Sequence, residues 1–293
     1  MSDLVHIAAP GGLSAAINAL GAELTHLRDA EGRELMTDAD PAFWTGHAPI
    51  LFPVIGVVNE DVIRLDGVTY PMAKHGFARH STFAVVEQAS DRATFRLTDN
   101  AETRAAYPFA FALDIAFAIA GTTLSVTATI VNRGPVPMPA SFGFHPALAW
   151  PLPYGEPRAD HRIVFDAAEP EPLRRLTTDG LIASATRPSP LDDARTLHLR
   201  DDLYTDDALI WDAVRSQAVR YGASAGPQIH VAFPDTPMLA SWTKPGAHFI
   251  CIEPWHGIAD PVGFSGNFRA KPGVFEIAPG GDKRIVMTIE LRG

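Results

Sequence analysis

The strongest constraint on this chain is an alternation with a period of two residues. Phe109, Phe111, Leu113, Ile115, Phe117 and Ile119 are large and apolar, and the positions between them are alanine or Asp114. Successive side chains of an extended strand point to opposite faces, so this run can bury one face only as a β-strand. After Gly121-Thr122 the parity resumes: Leu124, Val126, Ala128 and Ile130 face one way, Ser125, Thr127 and Thr129 the other. The pattern predicts a long antiparallel hairpin. A helix would need apolar residues three and four apart, which this stretch does not separate from its small ones.

The same grammar recurs. Ile63–Leu65 and Val68–Tyr70 flank Asp66-Gly67, a pair suited to a type I′ turn because both positions need positive φ. Phe83–Val85 and Phe95–Leu97 flank Ser90-Asp91-Arg92, and Phe275–Ile277 precedes Pro279-Gly280-Gly281-Asp282. Ile285, Met287, Ile289 and Leu291 then alternate with Val286, Thr288, Glu290 and Arg292. The 25 prolines and 23 glycines suit many short strands better than crossover helices. Brief helices are expected only around Asp206–Ser216 and Pro41–Trp44. The stretch from Trp150 to Arg200, rich in Pro, Asp and Arg, reads as long loops within one unit. No fixed-period repeat or low-complexity tract interrupts the chain. The expectation is all-β: one large antiparallel β-sandwich over residues 1–293.

Charge and cysteine content narrow the function classes. With 24 basic against 34 acidic residues the formal net charge is −10, which argues against binding a nucleic-acid backbone. Cys251, the single cysteine, excludes an internal disulfide framework and a multi-cysteine metal knot. Met1-Ser2-Asp3-Leu4-Val5-His6 has neither a basic region nor an apolar core of signal length, and Phe109–Ile119 is too short to span a bilayer. A soluble, cytoplasmic protein with no membrane partner is expected.

Three segments set titratable residues among aromatics: Lys74-His75-Gly76-Phe77-Ala78-Arg79, Ser141-Phe142-Gly143-Phe144-His145-Pro146-Ala147, and Phe249-Ile250-Cys251-Ile252-Glu253-Pro254-Trp255-His256-Gly257. On a strand, Phe249, Cys251 and Glu253 share one face and Ile250 and Ile252 the other. A carboxylate on an apolar face is costly to bury unless it is paired or working. Pro254 cannot donate to a ladder, so regular pairing is expected to stop near Glu253. Each residue also has a plain alternative: Glu253 as a solvated strand-end carboxylate, His145 as a structural histidine, His75 as part of a turn. Cys251 reads as a small buried hydrophobe, Trp44 with Phe43 and Phe52 as core packing, and Lys74 as a solvated cation. His256 either orients Glu253 or caps a turn.

Taken together, these segments resemble the aldose 1-epimerase (mutarotase) superfamily, and within it the LacX-like bacterial branch. The resemblance runs in family order through Pro49-Ile50-Leu51-Phe52-Pro53, His75 to Arg79, Gly143 to Ala147, Asp207-Ala208-Leu209, Cys251 to Gly257, Lys271-Pro272-Gly273 and Ile277-Ala278-Pro279-Gly280. It implies a β-supersandwich with a sugar cleft on one sheet, a monosaccharide substrate and no cofactor. It also implies roles: His145 as the general acid on the pyranose ring oxygen and Glu253 as the general base on the anomeric hydroxyl. His75 and Asp207 would bind the sugar. Arg79 would offer a guanidinium, and Trp255 a flat surface on which a ring can stack. Opening and reclosing a hemiacetal needs an acid and a base with pKa values near the working pH.

One departure bears on the substrate. Relatives often carry an arginine after the Phe-Pro segment, where this chain reads Val54-Ile55-Gly56-Val57-Val58. Without that guanidinium a phosphate loses a bidentate partner. A hexose-6-phosphate 1-epimerase therefore stands as the alternative, with Arg79 in its favour. A non-catalytic carbohydrate-binding protein is a second rival. A metal centre of two histidines and a glutamate is a third, weakened by the lack of His-x-His spacing.

Overall fold

The structure is a computed structural model that describes residues 4–293; Met1, Ser2 and Asp3 of the stretch read for a leader lie outside the described residues. Two antiparallel sheets dominate. The larger has nine strands in the order Thr196–His198, Arg162–Phe165, Ala218–Gly222, Gln228–Ala232, Asp282–Arg292, Thr123–Asn132, Phe111–Ala120, Arg92–Thr98, Ala84–Gln88. The smaller has five: Phe142–Gly143, Phe249–His256, Met238–Trp242 and Leu209–Trp211 in order, with Ala147–Ala149 also paired to Phe249–His256.

The expected long hairpin is the centre of the large sheet, Phe111–Ala120 against Thr123–Asn132, in register from Phe111↔Asn132 to Ile119↔Leu124. Its odd residues on the first strand are buried, and beyond Ala112 its even ones turn outward. Asp114 is no blemish on that apolar run: Arg96, directly opposite it, grips both carboxylate oxygens from Nε and Nη2 at 2.6 Å. Asp66-Gly67 makes the expected turn with φ of 51° and 87°, joining Val62–Leu65 to Val68–Pro71.

The main core lies between the sheets. Leu113, Ile115 and Phe117 of the large sheet share it with Leu209, Trp211, Leu239, Ile250 and Ile252 of the small one. The other face of the small sheet is covered too, by clusters around Leu51, Ile210, Ala240 and Trp255 and around Ala147, Phe249 and Cys251. A sheet wrapped on both faces reads as a nearly continuous apolar run, which is why Phe249–Trp255 is buried throughout.

Both expected helices are corrected. Asp206–Ser216 contains a turn at Asp207 (φ 66°) followed by the strand Leu209–Trp211. Leu209 and Trp211 face the main core and Ile210 the opposite side, a period of two too short to be recognised in isolation. Pro41–Trp44 is one turn, closed by Phe43 and Trp44 N–H groups donating to Asp40 O at 2.9 and 3.0 Å. The α-helix among the described residues is Ala101–Ala106, capped reciprocally by Asn100 and Thr103. Residues 172–187, expected as loop, fold back on themselves through Leu173↔Arg187 and Leu176↔Ile182 and touch the small sheet at Arg174↔Ile210. That excursion becomes one wall of a cleft.

Candidate active site

The three segments singled out in the sequence converge on the small sheet. Leu51 and Gly143 exchange backbone hydrogen bonds at 3.0 and 3.1 Å, and Phe52 O accepts from Phe77 and Ala78, so the Pro49–Pro53 segment knits the other two together. Gly143 pairs with Trp255 and Ala147 with Cys251, a register that sets His145 opposite Glu253. The rungs on either side each contain a proline. Phe144 N–H donates to Pro254 O (3.0 Å) and Ile252 N–H to Pro146 O (3.2 Å), but neither proline has an N–H to return. His145 and Glu253 thus occupy a rung without backbone hydrogen bonds, where cross-strand side chains approach most closely. The expectation that pairing stops at Pro254 is corrected: the strand runs to His256, and Pro254 pairs with Leu239 on its other side.

His145 Nε2 and Glu253 Oε2 lie 3.0 Å apart. Both residues are buried, at 8% and 1% exposure. The contact lacks the alignment of a hydrogen bond, and His145 Nδ1 and Glu253 Oε2 have no hydrogen-bond partner. Burial pushes the His145 imidazolium down to about 3. Burial, and then the negative charge of Asp207, push Glu253 well above the usual carboxylate range, against the pull of Lys74. Between those two limits the pair holds one proton.

Around this pair lies a cleft of about 280 Å³. Ala240 stands opposite Glu253 on the far strand and Ile210 opposite Ala240, so small and apolar side chains leave the carboxylate open. Trp255 lines the cleft on the same strand face as Glu253; a Cβ on Gly143 would lie 2.6 Å from its Cδ1, so glycine there makes room for the indole. Asp207 is exposed at the cleft edge, and its turn is tied down by Arg175, which donates to the Asp207, Ala208 and Leu203 carbonyls.

His75 sits at φ 66° on a turn whose next residue, Gly76, could carry no Cβ without meeting Phe52 O at 2.1 Å. The His75 Nδ1 accepts from Gly56 N–H at 3.0 Å, which leaves Nε2 to carry the ring proton. Burial, reinforced by the positive charges of Lys74 and Arg79 and by repulsion from His145 whenever that ring is protonated, holds this imidazole's pKa well below its ordinary value. Its ring stands edge-on to that of His145, centroids 5.9 Å apart. Half-buried Arg79 and exposed Lys74 complete the rim, neither in an ion pair among the described residues. Lys74 is solvated as expected, yet it borders the cleft.

The structure thus brings His75, Arg79, His145, Asp207, Glu253 and Trp255 to one cleft. It adds two residues that sequence reasoning missed. Trp44, expected in the core, is half-exposed with its ring 5.2 Å from that of His145, while Phe52 is buried in the core as expected. Trp242, at the end of the Met238–Trp242 strand, lies 6.0 Å from the same imidazole. The available signal was Trp242 standing just before the Thr243-Lys244-Pro245-Gly246 turn, where a strand edge meets solvent. His256 points to the other face, where its Nδ1–H donates to Gly273 O at 3.0 Å, and so does not orient Glu253. Buried Lys271 pairs with Asp260 (2.8 Å), whose backbone N–H donates to Val57 O. Val57 packs beside Gly180, a residue of the cleft wall.

Three donors of different softness also meet here. His145, Cys251 and Glu253 offer nitrogen, sulfur and oxygen atoms within 4.8 Å of one another. Cys251 is fully buried in the sheet, and burial raises its thiol well above its ordinary value. The centre of two histidines and a glutamate is not what the geometry assembles, since His75 Nδ1 is committed to Gly56.

Known proteins share this architecture. Residues 3–271 match the family model for aldose 1-epimerase. The chromosomal LacX protein of Lactococcus lactis subsp. lactis is 29% identical over 276 residues, 91% of this chain and 92% of that protein. A galactose mutarotase-like protein from Lactobacillus casei superposes with a TM-score of 0.91 at 30% identity, covering 99% of this chain and all of that one. A galactose mutarotase related enzyme from Lactobacillus acidophilus superposes with a TM-score of 0.90 at 28% identity, covering 99% and 98%.

Proposed function

Because this chain belongs to the aldose 1-epimerase family, we propose that it interconverts the α and β anomers of a free aldose, with His145 and Glu253 as the acid–base pair and residues 1–293 as one unit. The observation that carries this reading is the buried His145–Glu253 rung, with an unpartnered polar atom on each residue, at the floor of a cleft of sugar size.

The chemistry rests on the proton count. Anomerisation takes a proton from the anomeric hydroxyl and gives one to the ring oxygen, opening the ring to the aldehyde. Rotation about the C1–C2 bond presents the other face, and reclosure reverses both transfers. The site must therefore hold one proton between two groups, and burial sets that count over a wide pH span. In the charged arrangement of that single proton, His145 Nε2 donates to the ring oxygen and Glu253 accepts from the hydroxyl. A small side-chain rotation that aligns the 3.0 Å contact lets the proton pass and interconverts this arrangement with the neutral one. His75 contributes its Nε2–H toward the ring side, Asp207 accepts from sugar hydroxyls, Arg79 donates to them, and Trp255 offers an apolar face. No covalent intermediate or redox step enters, so the scheme calls on no cofactor.

Polarimetry of freshly dissolved α-D-glucose and α-D-galactose tests the proposal. Wild type should speed equilibration, and His145→Asn and Glu253→Gln should each fall toward the buffer rate, since such help is worth roughly 10²–10⁴-fold per group. A wild-type rate equal to buffer on every aldose withdraws the catalytic roles and leaves a carbohydrate-binding protein. A second reading, a hexose 6-phosphate substrate, is favoured by Lys74 and Arg79 at the rim and opposed by Val57; the same assay on glucose 6-phosphate decides it.

A further inference from the structure

We propose that the buried ion pair of Lys271 and Asp260 is a positioning device for His75, holding its ring in the place and the tautomer that present Nε2–H to the substrate; this rests on the epimerase reading for what His75 then does to the sugar. Neither Lys271 nor Asp260 lines the cleft, and both are shut away from solvent, at 2% and 3% exposure. Lys271 Nζ lies 2.8 Å from Asp260 Oδ1 and has no hydrogen bond to any other group among the described residues. A buried pair of this kind adds little net stability over apolar side chains of the same shape, because desolvation of the two charges offsets their attraction. What it adds is a fixed geometry, and here that geometry leads to the cleft.

Asp260 is the node. Its other carboxylate oxygen, Oδ2, accepts from Asn59 N–H at 2.9 Å, and its backbone N–H donates to Val57 O at 2.9 Å. Two further contacts flank these ties. Gly56 packs on Ala259, where a Cβ on the glycine would lie 2.4 Å from the alanine Cβ, and Asn59 Nδ2 donates to Phe264 O at 3.1 Å. Residues 56–59 are therefore fastened to residues 259–264 at both ends and in between. Gly56 in turn clasps His75: His75 N–H donates to Gly56 O at 2.9 Å, and Gly56 N–H donates to His75 Nδ1 at 3.0 Å. The second bond needs an unprotonated Nδ1, so it selects the tautomer with its proton on Nε2. In the other tautomer two buried N–H groups would face each other with no acceptor between them. Lys271 closes the chain. Its own backbone is held, N–H to Phe268 O and O from Val274 N–H, both at 3.1 Å, so its ammonium can fix the rotation of the Asp260 carboxylate and keep Oδ2 on Asn59.

The test compares two charge-free double variants, Asp260→Leu/Lys271→Met and Asp260→Asn/Lys271→Met. Both remove the buried charges together, so both should fold, but only the asparagine can still accept from Asn59 N–H. Nitrogen NMR of histidine-labelled protein reads the ring directly, the His75 signals being identified by their loss in His75→Asn. Wild type should show the two well-separated ring signals of an Nε2–H tautomer. The leucine variant should draw them together, as the tautomers mix and the ring takes up protons. It should also raise KM for the aldose about tenfold, the worth of one hydrogen bond, with kcat moving less than about threefold. The asparagine variant should recover the wild-type signals and KM. Lys271→Met alone leaves a buried carboxylate uncompensated and should disturb His75 in the same direction, which keeps the test decisive where the leucine variant does not fold. Wild-type His75 signals and KM in a folded leucine variant or in Lys271→Met, or an asparagine variant no nearer wild type than the leucine one, overturn the proposal. His75 signals that shift as expected in a protein that turns over no sugar leave the positioning device standing and withdraw the epimerase reading alone.

Discussion

Glu253 Oε2 lies 3.0 Å from His145 Nε2 across two antiparallel strands, on a rung flanked by Pro146 and Pro254. Two prolines, one on each strand, remove a hydrogen bond from the rung above and from the rung below the reactive pair. Backbone pattern and chemistry therefore meet at one place, and the proton balance of the cleft is set at that rung.

The pH profile should report the pair as a unit. His145 is held down to about 3 and Glu253 well above the carboxylate range, so the one-proton state spans the interval between them. We expect kcat to be flat from moderately acid to neutral pH, to fall at the acid end as the pair takes a second proton, and to fall at the alkaline end as the last proton leaves. A single rise centred near pH 6.5, as for a solvated histidine acting alone, would contradict this.

Glu253→Gln should be more stable than wild type at alkaline pH while losing activity. The carboxyl's pKa is raised on folding, so the stability it contributes is present below its ordinary value of 4.5 and is lost as pH rises toward the folded value. The variant's advantage should grow by about 1.4 kcal/mol per pH unit across that window and be absent at pH 4. Urea melts of both proteins at a series of pH values measure it. His145 has the opposite sign: its folded pKa is depressed, so wild type should lose stability relative to His145→Asn as pH falls from 6.5 toward 3.

Replacing His75 separates its two nitrogens. His75→Asn keeps an acceptor for Gly56 N–H and tolerates the positive φ, but removes the Nε2 donor. It should fold with a small stability loss and show a raised KM. His75→Ala leaves the Gly56 N–H unpaired and should cost a further ~1–3 kcal/mol.

Gly143→Ala should disturb the site through Trp255. The added Cβ would sit 2.6 Å from Trp255 Cδ1 and 3.2 Å from Leu51 Cδ1, so the indole must move or the strand must shift. Overpacking of this kind costs ~1–3 kcal/mol. A lower melting temperature together with quenched or shifted tryptophan fluorescence and a raised KM is expected. Unchanged KM would mean that Trp255 does not contact the sugar.

Much of this was legible in the sequence because the relevant pattern is local. Parity along Phe111–Ile119 and Leu124–Ile130 is decided by neighbours in the chain, and the hairpin follows it residue for residue. Parity likewise placed Phe249 and Cys251 on the face of Glu253, opposite Ile250 and Ile252. What was not legible depends on distant partners. Leu209–Trp211 is a strand because Met238–Trp242 lies beside it, and three residues alone cannot show a period. Trp44 and Phe52 are both aromatic and eight residues apart; only the fold sends one to the cleft and the other to the core. The opposition of His145 and Glu253, 108 residues apart, could be inferred from neither segment without the register that joins them.

The most direct test of the acid–base account is exchange NMR on equilibrated glucose and galactose, tracking transfer of magnetisation between the α and β anomeric protons. The account predicts strong exchange with wild type and exchange at the buffer level with Glu253→Gln and with His145→Asn, both proteins remaining folded. Wild-type exchange no faster than buffer, or exchange that survives in either folded variant, would contradict it.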